Sequence, residues 1–263
     1  MQITLADAKI MREVPATAPT VPTSLPIFQN EAEAIAEEMS MMSIEDIQKT
    51  FHCSLSIANE SLQRFKAFSI QPKSPALLSY HGHAYKHLQA DDFTDDDLTF
   101  AQKHLTIMSF MYGLLRPLDL ISHYRMTANM KLEHTGDAPI QTWWRRLTTE
   151  AIIKRVNDDD GILIDLATTE FENMCDWKRI EKEVTVIKPL FLVHDGLKYK
   201  NIAIYSKACR GAMTRFIIKN RLSSADEMES FSDDGFSFNA RLGDYNHPHY
   251  LREGLSSSSA CWQ

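Results

Sequence analysis

Apolar residues recur at spacings of three and four along residues 95–115, which is the spacing of one face of an α-helix. Thr94 is placed to cap the first turn, and the acidic residues 95–97 suit the positive end of the helix dipole. Pro117 ends the pattern, because proline disfavours helical backbone in the residue before it. We therefore predict one helix over residues 95–115, followed by a loop.

The rest of the chain predicts both helices and strands. Helical periodicity covers residues 140–156 and 206–221, and two or three more helices are predicted between Phe28 and Phe68. Strands are predicted near the N-terminus and at residues 161–166, 184–193 and 197–205 and around Phe236, with a hairpin turn at Asp195-Gly196. These elements predict a mixed α/β fold of the α+β type, in which a single helix-rich domain over residues 1–253 surrounds a mixed sheet.

Two segments lack any periodicity. Residues 13–26 are rich in proline and threonine, and we expect them to form an extended arm across the domain. The tail of residues 254–263 is of low complexity, and we expect it to be disordered.

Membrane and secretory signals are not evident. No apolar run approaches the roughly 20 residues that a membrane span needs. The first residues lack the basic start and long apolar stretch of a secretory signal. We therefore expect a cytoplasmic protein with no membrane partner.

Standard cofactor and metal motifs are also not found. The four cysteines are widely spaced and form no CxxC pair, which argues against a structural zinc site and against a disulfide framework. The chain contains no Walker loop, GxGxxG or GxSxG motif. His83, His87, His247 and His249 could be combined into a metal site, but surface histidines explain the pattern as well. We predict no cofactor and no metal.

Positive charge is concentrated in one segment of the chain. The formal net charge is -7, yet residues 198–221 carry seven basic side chains and no acidic one. A concentration of positive charge in an acidic protein indicates a bound anion. On the predicted helix, Lys207, Arg210 and Gly211 share a face, and a glycine there would let a backbone or a ligand approach closely. A solvated helix face is the alternative.

Further candidates lie in the loop after residue 115 and near the N-terminus. Arg116 and Arg125 carry the planar group that binds carboxylate or phosphate, and Tyr124 can transfer a proton. An ion pair with Asp119 is the structural alternative for the arginines. Lys9 lies at the end of the first predicted strand, where it is either exposed or part of a site.

Several long motifs resemble the YaaA family of bacterial peroxide-stress proteins. They read FAQKHLTIMSFMYGLLRPLDLISHYRM, YHGHAYKHL, IDLATTEF and YSKACRGAMTRFIIKNRL, in the order in which the family has them. The resemblance implies one mixed domain around a positively charged cleft. It also implies protection from oxidative damage during peroxide stress, in connection with intracellular iron, and DNA binding through a helix-hairpin-helix element. In this chain Ala6-Asp7 replaces the Ser-Pro pair that usually precedes the family's Ala-Lys, which places a carboxylate near Lys9.

Nine positions match the family motifs, and we assign them predicted roles. Tyr124 and Glu170 are the candidate catalytic residues. The candidate residues for binding an anion or DNA are Lys9, Arg116, Arg125, Lys207, Arg210, Gly211 and Arg215.

Three functions remain open at this point. The first is a stress protein that binds double-stranded DNA or another polyanion through a basic cleft. The second is an enzyme acting on a small phosphate- or carboxylate-bearing substrate held by Lys9, Arg116, Arg125, Lys207 and Arg210. The third is iron sequestration through the histidines. Whether the protein is an enzyme, and in what oligomeric state it acts, is left undecided by the sequence.

Overall fold

The computed structural model describes residues 1–14 and 20–254, which form nine α-helices and twelve β-strands. The helices are α1 (Gln29–Ser40), α2 (Ile44–Phe51), α3 (Leu55–Lys66), α4 (Ala76–Ser79), α5 (His83–Leu88), α6 (Asp95–His104), α7 (Ile140–Asn157), α8 (Trp177–Glu183) and α9 (Ala203–Asn220). The strands are β1 (Gln2–Ala6), β2 (Ser74–Pro75), β3 (Leu105–Ser109), β4 (Gly113–Leu115), β5 (Leu120–Ile121), β6 (Ile162–Leu166), β7 (Thr185–Ile187), β8 (Leu190–His194), β9 (Tyr199–Lys200), β10 (Ser232–Asp233), β11 (Phe236–Gly243) and β12 (Pro248–Glu253).

The first sheet has the strand order β4-β3-β1-β6-β7. Strands β3, β1, β6 and β7 run parallel, and β4 returns antiparallel to β3. The chain leaves β1 for β3 on one side and later adds β6 on the other side, so the strand order reverses at β1. Ligands of open parallel sheets bind beyond the carboxyl ends of the strands at such a reversal. The fold therefore predicts a ligand site among the residues that follow β1, β3 and β6.

The second sheet has the strand order β10-β11-β12-β8-β9, with β8 and β12 parallel and the other pairs antiparallel. Helix α9 contacts β1 of the first sheet and β8 of the second. Its buried residues include Ala208, Cys209, Met213 and Ile217. Helix α5 packs against α9 and lies near the carboxyl end of β1. One long helix thus connects both sheets to the region beyond β1.

The predicted helix over residues 95–115 is wrong in its second half. Its start is confirmed, because Thr94 and Asp97 form a reciprocal capping box at the beginning of α6. However, α6 ends at His104, and the next five residues form β3, which is buried on both faces. A strand inside a parallel sheet is a continuous apolar run, and such a run can match a helical pattern by chance.

Other predicted elements are confirmed, with changed boundaries. The helix predicted over residues 140–156 is α7, and β8 and β9 form the hairpin that turns at Asp195-Gly196. The strand predicted over residues 197–205 is shorter, because α9 already begins at Ala203. Strand β12 was not anticipated. The predicted mixed α/β fold class is confirmed.

Parts of two further predictions fall outside the described residues. Of the proposed arm, residues 15–19 lie outside them, while Ser24 forms a β-bridge with Asp119. Of the proposed tail, residues 255–263 lie outside them. Within the described ranges, no helix combines the length and the apolar character that crossing a membrane requires.

Candidate functional site

A cavity of about 200 Å³ opens beyond the carboxyl ends of β1 and β6. Its apolar wall is formed mainly by Leu5, Ile10, Phe110, Met126, Leu166 and Phe171. Its polar side chains are Asp7, Lys9, His83, Tyr85, Thr168, Glu170, Lys207 and Arg210. The residues come from the loops after β1, β3 and β6 and from α5 and α9, so the topology brings together parts of the chain that are far apart in sequence. We refer to this cavity as the β1 pocket.

Asp7 follows β1 directly and is fixed by a buried hydroxyl network. The Tyr124 hydroxyl donates to Oδ2 of Asp7 at 2.6 Å. Because that hydroxyl has one proton, the contacts from Tyr80 at 2.7 Å and from Ser109 at 2.6 Å are ones in which Tyr124 accepts. Oγ of Ser109 in turn accepts from two backbone N–H groups in the turn after β3. Every member of the network therefore has a partner.

The environment of Asp7 changes its acidity. Burial raises the pKa of Asp7 to about 7, although the hydrogen bonds from Tyr124 and Ser109 favour the ionised form. The negative charge of Glu170 raises this pKa further, and the positive charge of Lys9 lowers it. A carboxyl group with a pKa near neutrality can both accept and release a proton at physiological pH. Asp7 is thus the best-placed proton carrier in the β1 pocket.

Tyr124 and Glu170, the two predicted catalytic residues, differ in position. Tyr124 lies behind Asp7 and does not line the β1 pocket. Burial, followed by the charge of Asp7, raises the pKa of Tyr124 well above its ordinary value, so its hydroxyl stays protonated. Its role in this geometry is to position Asp7. Glu170 lines the pocket, and its carboxylate forms an ion pair of 3.3 Å with Lys9.

Lys207 and Arg210 supply positive charge without a matching partner. Within residues 1–14 and 20–254, neither side chain forms a hydrogen bond or an ion pair. They project from the first turns of α9 into the β1 pocket. Burial lowers the pKa of the Arg210 guanidinium, and the negative charge of Asp165 opposes this effect. Two cations that lack partners beside a cavity are suited to an anionic ligand.

Gly211 has a packing role at this position. A Cβ atom on Gly211 would lie 1.8 Å from the carbonyl oxygen of Ala84. The close approach that we expected at this glycine is therefore made by the backbone of α5. Gly211 does not line the β1 pocket, but it allows α5 to bring His83 there.

Arg116 lies at the opposite edge of the first sheet. Strand β4 runs antiparallel to β3 and so returns the chain to the amino ends of the parallel strands. There Arg116 forms an ion pair of 3.1 Å with Asp119 and lines a different cavity, of about 660 Å³, with Gln2 and Arg155. Arg116 therefore forms the ion pair with Asp119 that was the alternative to anion binding. The structure does not place it near Lys207.

Arg125 and Arg215 also lie apart from the β1 pocket. Nε of Arg125 is buried and has no hydrogen-bond partner among the described residues. Arg215 forms an ion pair of 2.6 Å with Asp92 and lies over the ring of Phe93. Of the seven predicted anion-binding residues, the pocket collects Lys9, Lys207 and Arg210.

Most of the basic segment is neutralised by acidic residues from elsewhere. Besides Arg215, Lys219 pairs with Asp92 and Asp97, Arg221 pairs with Asp97, and Lys200 pairs with Asp195. Burial alone would raise the pKa of Asp97, but hydrogen bonds from Lys219 and Thr94 lower it below its usual value. The sequence showed no acidic residue at helical spacing, because the partners of Arg215, Lys219 and Arg221 come from the start of α6 and the turn before it. The partner of Lys200 lies in the hairpin between β8 and β9.

Sequence reasoning missed the central position of Asp7 and the wall formed by Phe110 and Phe171, whose stacked rings lie 4.2 Å apart. The replacement of Ser-Pro by Ala6-Asp7, at the end of an entirely buried strand, was the available signal for Asp7. Among the described residues, no group of three or more histidine, cysteine or acidic side chains is arranged to hold a metal ion.

The fold and the site define an α/β protein with a small, partly cationic pocket at the carboxyl edge of a mainly parallel sheet. A sequence model of the family described as "Peroxide stress protein YaaA" matches residues 1–242. The chain therefore belongs to the YaaA family, as the motifs predicted.

Relatives with the name UPF0246 protein support this assignment. One from Phocaeicola vulgatus is 43% identical over 236 residues, which cover 89% of this chain and 92% of the relative. One from Bacteroides fragilis is 39% identical over 246 residues, covering 93% and 95%. One from Porphyromonas gingivalis is 35% identical over 258 residues, covering 96% and 100%.

Proposed function

We propose that the β1 pocket binds a small phosphate- or carboxylate-bearing substrate and that the protein is an enzyme in which Asp7 exchanges a proton with this substrate. The observation that carries the proposal is the position of three side chains in one cavity. Asp7, with its pKa raised to about 7, lines the same small cavity as Lys207 and Arg210, which have no anionic partner in the described part of the chain. A proton carrier beside cations is the combination that general acid-base chemistry on an anionic substrate needs.

Each residue has a defined part in this proposal. Lys207 and Arg210 hold the anionic group of the substrate and stabilise negative charge that develops on it. Asp7 takes up a proton from the substrate, so that a bond from hydrogen to the substrate breaks and one to the Asp7 carboxylate forms. Tyr124 keeps the Asp7 carboxylate in place through its hydrogen bond of 2.6 Å. Lys9 and Glu170 form an ion pair and act on Asp7 in opposite directions: the charge of Glu170 raises its pKa, and the charge of Lys9 lowers it.

Binding of double-stranded DNA has weaker support. Four of the seven cations in residues 198–221 form ion pairs with Asp92, Asp97 or Asp195. Ion pairs of this kind reduce the number of charges that can replace counterions on a phosphate backbone. Helices α2 and α3 form a helical hairpin in which His52 has a left-handed backbone, and this remains the element that DNA binding would use.

The physiological role follows from the family description. We infer a role in protection against peroxide stress, which the match to the peroxide stress protein family supports. We also infer a cytoplasmic location, which the free thiols of Cys53, Cys175 and Cys209 support because reduced cysteines are typical of that compartment. Loss of the gene should increase the sensitivity of the source organism to hydrogen peroxide, and a chain with Asp7→Asn should fail to restore resistance.

Thermal denaturation with inorganic phosphate and with acetate tests the proposed site. We expect both anions to raise the melting temperature of the wild type, and we expect Lys207→Ala and Arg210→Gln to remove the increase. Lys198→Ala is the matched control, because Lys198 is an exposed cation of the same basic segment that lies outside the β1 pocket. An equal loss for Lys198→Ala and Lys207→Ala, together with binding to duplex DNA that weakens steeply with salt, would instead support the polyanion function.

A further inference from the structure

The hydroxyl group of Ser109 has only one way to contact Tyr124. Its oxygen, Oγ, accepts from the backbone N–H groups of Met111 and Tyr112, each at 3.2 Å. A hydroxyl oxygen has two acceptor lone pairs, and these two bonds occupy both. In its contact of 2.6 Å with the Tyr124 hydroxyl, Ser109 therefore acts as the donor.

The buried hydroxyl group of Tyr80 acts on Tyr124 in the same direction. It contacts the Tyr124 hydroxyl at 2.7 Å and has no other hydrogen-bond partner within residues 1–14 and 20–254. If Tyr80 accepted from Tyr124, its own proton would be buried without an acceptor, which costs free energy. With two donors directed at its oxygen, the Tyr124 hydroxyl has its single proton left for Oδ2 of Asp7, at 2.6 Å.

The two oxygen atoms of the Asp7 carboxyl group are therefore not equivalent. A proton on Oδ2 would make this oxygen a poorer acceptor for Tyr124, and donation from Oδ2 to Tyr124 would require the hydroxyl network to reverse. Oδ1 has no hydrogen-bond partner among the described residues, yet it is not among the buried side-chain atoms that lack one. Since Asp7 lines the β1 pocket, Oδ1 is the oxygen that a ligand can reach.

We propose that Ser109 is a positioning residue, which acts through Tyr124 and confines the exchangeable proton of Asp7 to Oδ1. The hydroxyl network then carries no proton away from Asp7, because each of its protons already has a fixed acceptor. In the function proposed above, a proton that leaves the substrate forms its new bond to Oδ1 and departs again only through the β1 pocket. The inference rests on that function for the identity of the proton donor alone.

Infrared difference spectra, recorded below and above the Asp7 pKa of about 7, locate the proton without any ligand. Labelling of aspartate with heavy carbon, and the loss of the band in Asp7→Asn, identify the C=O stretch of protonated Asp7. With the proton on Oδ1, the carbonyl oxygen is Oδ2, which accepts from Tyr124. Tyr124→Phe should then move the band to higher frequency, because a hydrogen bond to a carbonyl oxygen weakens the C=O bond. A band that stays in place or moves to lower frequency would overturn the proposal.

Ser109→Ala tests the positioning role. Loss of the donor to Tyr124 disfavours ionised Asp7, so the Asp7 titration, followed by carbon NMR, should move upward by about 0.4–1 pH unit, the worth of one hydrogen bond. Ser109→Thr keeps the hydroxyl and should restore the wild-type titration. Ser61→Ala is the matched control, since the buried Ser61 of α3 donates to the carbonyl of Ile57. Reduced stability of Ser109→Ala with an unchanged Asp7 titration would show a purely structural role and overturn the assignment.

Binding of inorganic phosphate separates this inference from the proposed function. If phosphate binds through Lys207 while Tyr124→Phe leaves the carbonyl band in place, the proton assignment is wrong and the anion site stands. If the band moves as expected while neither phosphate nor acetate binds, the assignment stands and the proposed function fails. Where Tyr124→Phe does not fold, the Asp7 titration in Ser109→Ala and Ser109→Thr decides the question.

Discussion

The Tyr124 hydroxyl donates a hydrogen bond of 2.6 Å to Oδ2 of Asp7, across a separation of 117 residues in the chain. This contact joins the loop after β5 to the end of β1. It fixes the orientation of the carboxylate on which the proposed chemistry depends. Because the same hydroxyl accepts from Tyr80 and Ser109, the stability of the core and the acidity of the site are coupled.

Tyr124→Phe should raise the pKa of Asp7 above its value of about 7, because the hydrogen bond that favours the ionised form is lost. It should also lower the free energy of unfolding by about 1–3 kcal/mol, since the buried hydroxyls of Tyr80 and Ser109 lose their acceptor. Titration of the Asp7 carboxyl by carbon NMR and urea unfolding measure the two effects. Tyr250→Phe is the matched control: its buried hydroxyl donates to the carbonyl of Met228, outside the β1 pocket, so its removal should affect stability but leave the pKa of Asp7 in place.

Asp7 should also make the stability of the protein depend on pH. Its pKa is about 7 in the folded state and about 3.8 in the unfolded chain. Between these values the folded state keeps a proton that the unfolded state has released, so the free energy of unfolding falls as the pH rises. At about 1.4 kcal/mol per pKa unit, the fall is at most on the order of 4 kcal/mol.

Comparison of the wild type with Asp7→Asn isolates this contribution. The variant should gain stability relative to the wild type from about pH 4 to about pH 7, and the difference should stay constant at higher pH. Urea unfolding across this range measures it, with the exposed Asp226→Asn as the control that should leave the profile unchanged. A constant difference between Asp7→Asn and the wild type over the whole range would refute the raised pKa of Asp7.

Gly211→Ala should destabilise the packing of α5 against α9. The new Cβ atom would lie 1.8 Å from the carbonyl oxygen of Ala84, so one helix must move. We expect a loss of at least about 1–3 kcal/mol in the free energy of unfolding, together with weaker anion binding, because α5 carries His83 into the pocket. Lys207→Ala on the same helix should weaken anion binding with little loss of stability, which separates the two effects.

Asp92→Asn should release Arg215 from its ion pair, while Lys219 keeps its ion pair with Asp97. We expect stronger binding to duplex DNA, with a steeper dependence on salt, because a freed cation replaces counterions on the phosphates. Asp96→Asn is the control of equal charge, since Asp96 is exposed and forms no ion pair within the described ranges. Phosphate binding in the β1 pocket should be the same in both variants. A change in phosphate affinity that occurs in Asp92→Asn but not in Asp96→Asn would show that the β1 pocket and the ion pairs of Asp92 are not independent.

The local parts of the structure were predictable, and the site was predictable only in part. Helix α7 and the hairpin at Asp195-Gly196 depend on short-range patterns, and both were correctly predicted. The strand β3 was taken for helix because burial on both faces removes the alternation that marks a strand. That error concealed the reversal at β4, which carries Arg116 to the opposite edge of the sheet.

The chemistry of the β1 pocket could be predicted only in part, because its decisive contacts join residues that are far apart in the chain. Lys9 and Lys207 were identified as charged residues near element ends, and such positions are readable from the sequence. Asp92 neutralises Arg215 across 123 residues of the chain. The pKa of Asp7 is raised by burial among segments that are distant from it in the sequence. No helical spacing or alternation carries that information.

Calorimetric titration of inorganic phosphate and of acetate, in buffers of different ionisation enthalpy, tests the central claim most directly. The proposed site predicts that acetate binding near pH 7 takes up a fraction of a proton, because an anion beside Asp7 raises its pKa further. Phosphate itself titrates near this pH, so its titration reports affinity alone. It also predicts that the double variant Lys207→Ala/Arg210→Gln binds neither anion, while Lys198→Ala behaves as the wild type. Anion binding that survives the double variant, or acetate binding that takes up no proton in the wild type, would contradict the proposed site.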